Sequence, residues 1–254
     1  MKKLLILYPH GLGDCILLTP AIREYKKQTG NNISVITLER FKSAKLFNNN
    51  PNVDSIYYCK DAWNDFQNSQ IGFQSLYNEW KLFATQNGYN FMCMPMHSQE
   101  YSKILINSKY LNINLDNVKT QIYTTEKDKI KAKEIVKNII GNNKFGFIQT
   151  NTGVPSKNLP EGFGRKWLNE NKGIENFIEI GKEIKELEYN INIQFEIMRL
   201  AEAVCIPDSV FYHACHAINK NVDFAYFGRG KSIWERVKPL HYVNENVIYN
   251  LEKQ

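Results

Sequence analysis

The sequence predicts an α/β protein made of two successive Rossmann-like halves with a cleft between them, and three observations carry that expectation. Short apolar runs alternate with longer amphipathic ones along the chain, the pattern of βαβ units on mostly parallel sheets. The first apolar run, Lys3–Tyr8, passes directly into a glycine-bearing turn and then into apolar residues at helical spacing. From Asn112 to Gln121 the composition turns polar and the alternation pauses before it starts again. The two halves are therefore expected at residues 1–120 and 121–254.

In the first half, Lys3–Tyr8 reads as a buried strand and Pro9–Asp14 as a turn. Cys15–Gln28 reads as a helix, with Ile16, Leu17, Pro20, Ala21 and Tyr25 at helical spacing and Gly30 closing it. Ile33–Leu38 is the next strand, followed by a helix around Phe41–Phe47, a breaker at Asn48–Pro51 and a strand at Ser55–Tyr58. Gln74–Ala84 places Leu76, Tyr77, Trp80 and Phe83 on one helical face, which reads as core packing, and Asn90–Met96 reads as a strand. In the second half, the helix Glu126–Ile140 leads to the strand Phe145–Gln149 and a long polar loop, Thr150–Lys172. A helix at Ile174–Leu187, a strand at Ile191–Glu196 and a short helix at Arg199–Val204 follow. The helix Asp208–Ile218 and the strand Val222–Phe227, ending in Gly228-Arg229-Gly230, complete the series.

Composition narrows the function classes. With 43% hydrophobic and 23% charged residues, the 254-residue chain has the balance of a globular protein and the length to bury a core. The net charge of +6 suits a protein that handles phosphate-bearing ligands or works near anionic lipid, such as the inner membrane surface. No Lys/Arg block accompanies it, which argues against nucleic acid. The five cysteines show no C-x-x-C spacing and read as free, mostly buried thiols of a reducing compartment. The apolar stretch Leu4–Tyr8 is too short for a signal peptide, and no run approaches the roughly 18–20 apolar residues of a membrane span. A cytoplasmic protein is expected.

Three segments carry residues suited to chemistry. The first is Tyr8-Pro9-His10-Gly11-Leu12-Gly13-Asp14, where glycines after a strand let a ligand approach the backbone and a helix N-terminus. The third glycine of a dinucleotide fingerprint would fall on Ile16, which argues against a nucleotide-dependent oxidoreductase. Asp14 admits two readings: a helix N-cap, or a carboxylate at the carboxyl end of a parallel sheet that acts as a general base. The second segment is Ile206–His213, where Asp208 and Ser209 can start a helix that welcomes phosphate, with His213 one turn further on. The third is the loop Thr150–Val154 after a strand, with Arg165 or Lys166 downstream as the cation for a diphosphate. No D-x-D or H-x-x-E-H pattern suggests a metal site.

Together these motifs resemble a family. ILYPHGLGDCILLTPAIREYKK followed by NNNPNVDSIYY is similar to the N-terminal half of the ADP-heptose:lipopolysaccharide heptosyltransferases, glycosyltransferase family 9. There a strand leads into G-G-L-G-D, a helix with T-P-A-hydrophobic-R, and later N-P-x-V-D. Asn151-Thr152-Gly153, Arg165-Lys166-Trp167, IPDSVFYHACHAI and YFGRG resemble, more loosely, the family's H-P-G, K-x-W, D-[ST]-G-x-x-H-x-A-A and F-G elements. The resemblance implies a GT-B fold, with acceptor on the first lobe and nucleotide-sugar on the second. It implies inverting, metal-free transfer with no cofactor beyond an ADP-linked donor, to a glycan or glycolipid acceptor of lipopolysaccharide biosynthesis. On this basis Asp14 is the catalytic base. Thr150, Thr152, Arg165 or Lys166, Asp208, Ser209 and His213 hold the donor, and His10, Gly11 and Gly13 form the loop between the substrates.

The chain departs from the family pattern at His10 and Val210, which stand where glycines are usual, and reads as shortened by one βα unit between Ile191 and Asp208, with Glu196 standing in for an acid on the donor ribose. A non-catalytic nucleotide- or sugar-binding protein with the same two lobes is the rival reading.

Overall fold

The computed structural model of the chain describes residues 2–60, 70–94, 103–185, 190–226, 228, 247 and 248. They form two parallel sheets. The first has the order β3-β2-β1-β4, from β1 (Lys3–Leu7), β2 (Asn32–Leu38), β3 (Ser55–Cys59) and β4 (Tyr89–Cys93). The second has the order β6-β5-β7-β8-β9, from β5 (Gly146–Gln149), β6 (Phe177–Ile180), β7 (Ala203–Pro207), β8 (Phe224–Tyr226) and β9 (Val247–Ile248). All pairings within the two sheets are parallel. The helices are α1 (Leu12–Thr29), α2 (Gln70–Gln86), α3 (Lys103–Leu111), α4 (Glu126–Ile140), α5 (Phe163–Lys172), α6 (Ile191–Leu200) and α7 (Val210–Ala217). Two 3-10 turns, Glu39–Ala44 and Pro155–Lys157, complete the elements. Among the described residues no helix is long and apolar enough to cross a membrane.

The strands are apolar on both faces because helices cover both. Leu4 and Ile6 face one layer with Ile33 and Val35, while Leu5 and Leu7 face the other with Ile36 and Leu38, following the two-residue period of a strand. In the second sheet Phe147, Val204 and Ile206 face the first of these layers, and Ile148, Ala203 and Cys205 face a layer closed by Leu168 of α5. The layer holding Leu4 and Ile16 is continuous with the one holding Phe147 and Phe211, because α1 packs against α7. All five cysteines are free.

α1 illustrates how local sequence and tertiary position agree. Pro20 lies inside it and cannot donate to the Ile16 carbonyl; the Thr19 hydroxyl takes that carbonyl instead at 2.7 Å. The same hydroxyl accepts from the Gln121 amide at 2.9 Å, tying the segment between the sheets to α1. The helix ends at Gly30, whose φ of 66° suits a residue without a Cβ. In Asn50-Pro51-Asn52-Val53-Asp54 the last carboxylate accepts from the Ile33 amide and from Lys26, both at 2.7 Å, so this segment pins the start of β2 to α1.

Sheet order positions the site. β1 has β2 on one side and β4 on the other, and β5 has β6 and β7; at such reversals a crevice opens beyond the carboxyl ends of the strands. The loops after β1, β5 and β7 lie there.

Five expectations are corrected, four of them in the half that forms the second sheet. Thr150–Lys172 is not one loop: it holds the turn Pro155–Lys157 and the helix α5. The expected helix Ile174–Leu187 is instead the strand β6, ended by Gly181 at φ 96°; residues 186 and 187 lie outside the described set. The expected strand Ile191–Glu196 is the helix α6, capped by the Asn190 side chain on the Ile193 amide. The expected helix Arg199–Val204 gives way to β7. Between β6 and β7 runs the single helix α6, and the second sheet carries one strand, β6, beyond β5 where the first carries two, β2 and β3, beyond β1, as a chain shortened by one βα unit would. In the first half, Phe41–Phe47 is a 3-10 turn over Glu39–Ala44 and not a helix. Residues 95 and 96 of the expected fourth strand, and 227, 229 and 230 after the last, lie outside the described residues.

Candidate functional site

β1 ends at Leu7, and the chain turns through Pro9 into α1. His10 is buried, edge-on to the Tyr8 ring with centroids 4.2 Å apart and Nε2 3.4 Å from the Met94 carbonyl. It holds the turn against β4. Gly11 is the residue before the first helical turn and caps it without a side chain. Asp14 is thus not the N-cap; it sits three residues further on, partly exposed, where a carboxylate favours the positive end of the helix. A Cβ on Gly11 would lie 3.6 Å from Asp14 Oδ2, so the carboxylate folds back over that glycine.

The loop after β5 forms the second wall. Thr150 is buried and donates to Glu179 Oε1 at 2.6 Å. Thr152 organises the turn: its amide donates to Asn158 Oδ1 at 2.7 Å, and its hydroxyl to the Val154 carbonyl at 2.8 Å. The Leu159 amide bonds the Thr150 carbonyl at 3.0 Å and closes the loop. A Cβ on Gly228 would collide with the Ser156 carbonyl, so Gly228 lies directly on this loop.

The third wall is the start of α7. Ser209 is its N-cap, accepting from the Phe211 amide at 3.2 Å and donating to Gln149 Oε1 at 2.5 Å. Asp208 is buried and its carboxylate meets Lys157 Nζ at 2.7 Å, with both side chains largely withdrawn from water. His213, one turn into α7, is buried beneath Gly13: a Cβ on Gly13 would stand 2.7 Å from the His213 ring carbon Cδ2. Burial pushes the His213 imidazolium down to about 4, against the pull of Asp208 and Asp14, so the ring is neutral at neutral pH.

The structure therefore brings together Gly11, Gly13, Asp14, Thr152, Asp208, Ser209 and His213, around two helix N-termini that nearly touch. Arg165 and Lys166 lie differently. Arg165 donates to Glu179 at 2.8 Å and to Glu183 at 2.6 Å, reaching Thr150 only through Glu179. Burial raises the Glu179 carboxyl, yet the Thr150 and Arg165 bonds outweigh it and hold the group below the usual carboxylate range. Lys166 is exposed and approaches Glu170 of its own helix at 3.9 Å. The cation between the β5 loop and α7 is Lys157, which the sequence reading missed; Pro155, opening a helical turn just past a strand-end loop, was the available signal. Lys103, also missed, is buried beside Tyr8. Glu196 is no strand-end acid: it sits in α6, accepting from Thr124 at 2.5 Å and from Arg199 at 3.2 Å.

Such a site offers a carboxylate on one side and, on the other, a cation beside a helix N-terminus, the elements of phosphate recognition. Among the described residues no three of His, Cys, Asp and Glu converge as a metal site.

No family model and no curated protein matches the chain by sequence. Solved structures match it by shape. The glycosyl transferase family 9 structure from Veillonella parvula DSM 2008 superposes with a TM-score of 0.68 at 12% identity, over 98% of this chain and 86% of that one. E. coli ADP-heptose lipopolysaccharide heptosyltransferase II gives 0.62 at 12%, over 98% and 90%. E. coli heptosyltransferase WaaC with ADP-2-deoxy-2-fluoro heptose gives 0.58 at 12%, over 97% and 92%. The chain thus has the GT-B fold of these structures, two Rossmann-like lobes with parallel sheets. They belong to the family that the sequence motifs resemble.

Proposed function

We propose that the protein is an inverting, metal-independent glycosyltransferase moving a heptose or related sugar from an ADP-linked donor to a glycan or lipopolysaccharide-type acceptor. The observation that carries this reading is the position of Asp14 opposite the Lys157–Asp208 pair, across the meeting point of α1 and α7. The reaction is a direct displacement. Asp14 takes the proton from the acceptor hydroxyl while that oxygen bonds the anomeric carbon. The bond from that carbon to the donor diphosphate breaks, and the electron pair leaves with the phosphate. Lys157 and the amides at the start of α7 stabilise the leaving charge, and Asp208 holds Lys157 in place. Thr150 and Thr152 shape the phosphate loop. Neutral His213, under Gly13, fixes the spacing between the lobes. The reaction is placed in the cytoplasm, with the acceptor presented at the inner membrane surface.

The test is release of nucleoside diphosphate from a panel of nucleotide-sugars with lipopolysaccharide-core acceptors. Release confined to ADP-linked sugars supports the full reading. Tight donor binding without release from any member overturns it in favour of a non-catalytic nucleotide-sugar-binding protein.

A further inference from the structure

Lys103 opens α3 and is buried, a costly place for an ammonium: burial strips its water, and the helix N-terminus adds a like-signed partial charge. Its Nζ lies 5.6 Å from the centroid of the Tyr8 ring. The Tyr8 hydroxyl donates to the main-chain carbonyl of Asp14 at 3.2 Å. One turn along α3, Asn107 donates to that hydroxyl and to the Leu17 carbonyl, both at 3.3 Å, which locks α3 against α1. Lys103, Tyr8 and Asp14 thus form one group at the carboxyl end of β1.

Among the described residues Asp14 acts on four titratable groups: Tyr8 from β1, Cys15 beside it on α1, Lys103 from α3 and His213 from α7. Burial drives the Tyr8 phenol well above its ordinary value, raises the Cys15 thiol to about 12 and lowers the His213 imidazolium to about 4. At neutral pH those three are uncharged, and Lys103 is the cation of the set. Burial lowers the Lys103 ammonium, and the Asp14 carboxylate pulls it back up.

We infer that Lys103 is a positioning residue for Asp14: its ammonium, seated on the Tyr8 ring whose hydroxyl bonds the Asp14 carbonyl, holds the first turn of α1 so that the carboxylate stays at the cleft. This rests on Asp14 being the base.

The pairing itself is read without substrate. Lysines carrying 13C at Cε are titrated by NMR in the wild type and in Asp14→Asn, the Lys103 signal being the one lost in Lys103→Arg. Lys103 is expected to titrate about one pH unit lower in Asp14→Asn, a loss of about 1.4 kcal/mol of interaction with the carboxylate. An unchanged titration overturns the proposal. In turnover, read as ADP released from ADP-D-β-D-heptose, Lys103→Met is expected to lower kcat about 10-fold or more with KM for the donor unchanged. Lys103→Arg should restore most of the loss. Wild-type kcat in Lys103→Met overturns the proposal, whereas full turnover in Asp14→Asn overturns the base assignment and leaves the lysine titration standing.

Discussion

Gly13 and His213 meet so closely that a methyl group on the glycine would stand 2.7 Å from the imidazole Cδ2 and 3.3 Å from Nε2. The two residues belong to different sheets' helices, so this contact fixes how near the starts of α1 and α7 approach. His213 is buried, and its ring cannot swing away without opening a gap elsewhere. Gly13→Ala is therefore expected to destabilise the protein by about 1–3 kcal/mol, the usual cost of overpacking. Urea unfolding measures it. Adding His213→Ala to Gly13→Ala should recover part of the loss, since the two sites are in direct contact. Equal midpoints for Gly13→Ala and wild type would show that the lobes are free to separate at this point.

His213 also gives a pH dependence with a definite sign. Its folded imidazolium titrates at about 4, below the roughly 6.5 of an unfolded histidine. Above pH 6.5 both states are neutral, and the residue contributes nothing to the slope. As pH falls from about 6.5 toward 4 the unfolded chain binds a proton that the folded one refuses, so stability is lost in that window. The loss approaches roughly 3 kcal/mol below pH 4. Denaturation at pH 7.5, 6 and 5 in wild type and His213→Gln should show a shallower decline in the variant. Parallel curves would mean that the ring is reached by water.

How much of this was legible in the sequence depended on burial. α4 was read at its bounds because its polar face repeats with helical period and Thr125 and Asp128 form a capping box. α6 was misread because its apolar residues alternate: Ile191, Ile193, Phe195 and Ile197 have the period of a strand. The polar residues between them, Asn192, Gln194 and Glu196, are buried too, so no exposed polar face marks Ile191–Met198 as a helix. The neighbouring error at β6 came from Ile174, Ile178 and Ile184, which mimic a helical stripe across a four-residue strand and the Gly181 turn. Of the site, Asp14, Ser209 and His213 were marked by the glycines and helix starts around them. Lys157 was not, since its partner Asp208 lies fifty-one positions away and no local pattern links them.

The donor cation should separate cleanly in binding. Lys157→Ala is expected to weaken ADP binding by about 1.5–3 kcal/mol, the range for a hydrogen bond to a charged group. Lys166→Ala, at an exposed position paired along its own helix, should bind ADP like wild type. Because Lys157→Ala also leaves the buried Asp208 carboxylate uncompensated, Lys157→Ala/Asp208→Asn should be compared by calorimetry. If that double variant binds as tightly as wild type, the loss in the single variant is repulsion from Asp208 and Lys157 does not touch the phosphate. Weak binding in Lys166→Ala with none lost in Lys157→Ala would move the pocket to the outer face of α5.

Transfer is expected to need no divalent metal, and the argument lies in what Asp208 already does. A magnesium ion at a diphosphate uses one or two carboxylates together with the phosphate oxygens. Asp208 and Glu179 are the acids bonded to the β5 loop; Asp208 is engaged at 2.7 Å by Lys157. Glu179 is committed to Thr150 and Arg165. Asp14 lies on α1, across the Gly13–His213 contact. Recruiting a metal would require breaking one of these ion pairs, whereas Lys157 and the α7 amides already present positive charge to a leaving diphosphate. Initial rates with excess EDTA should match those with added magnesium or manganese. Activity abolished by EDTA and restored by either ion would show that the Lys157–Asp208 pair opens on donor binding and that the carboxylate becomes a metal ligand.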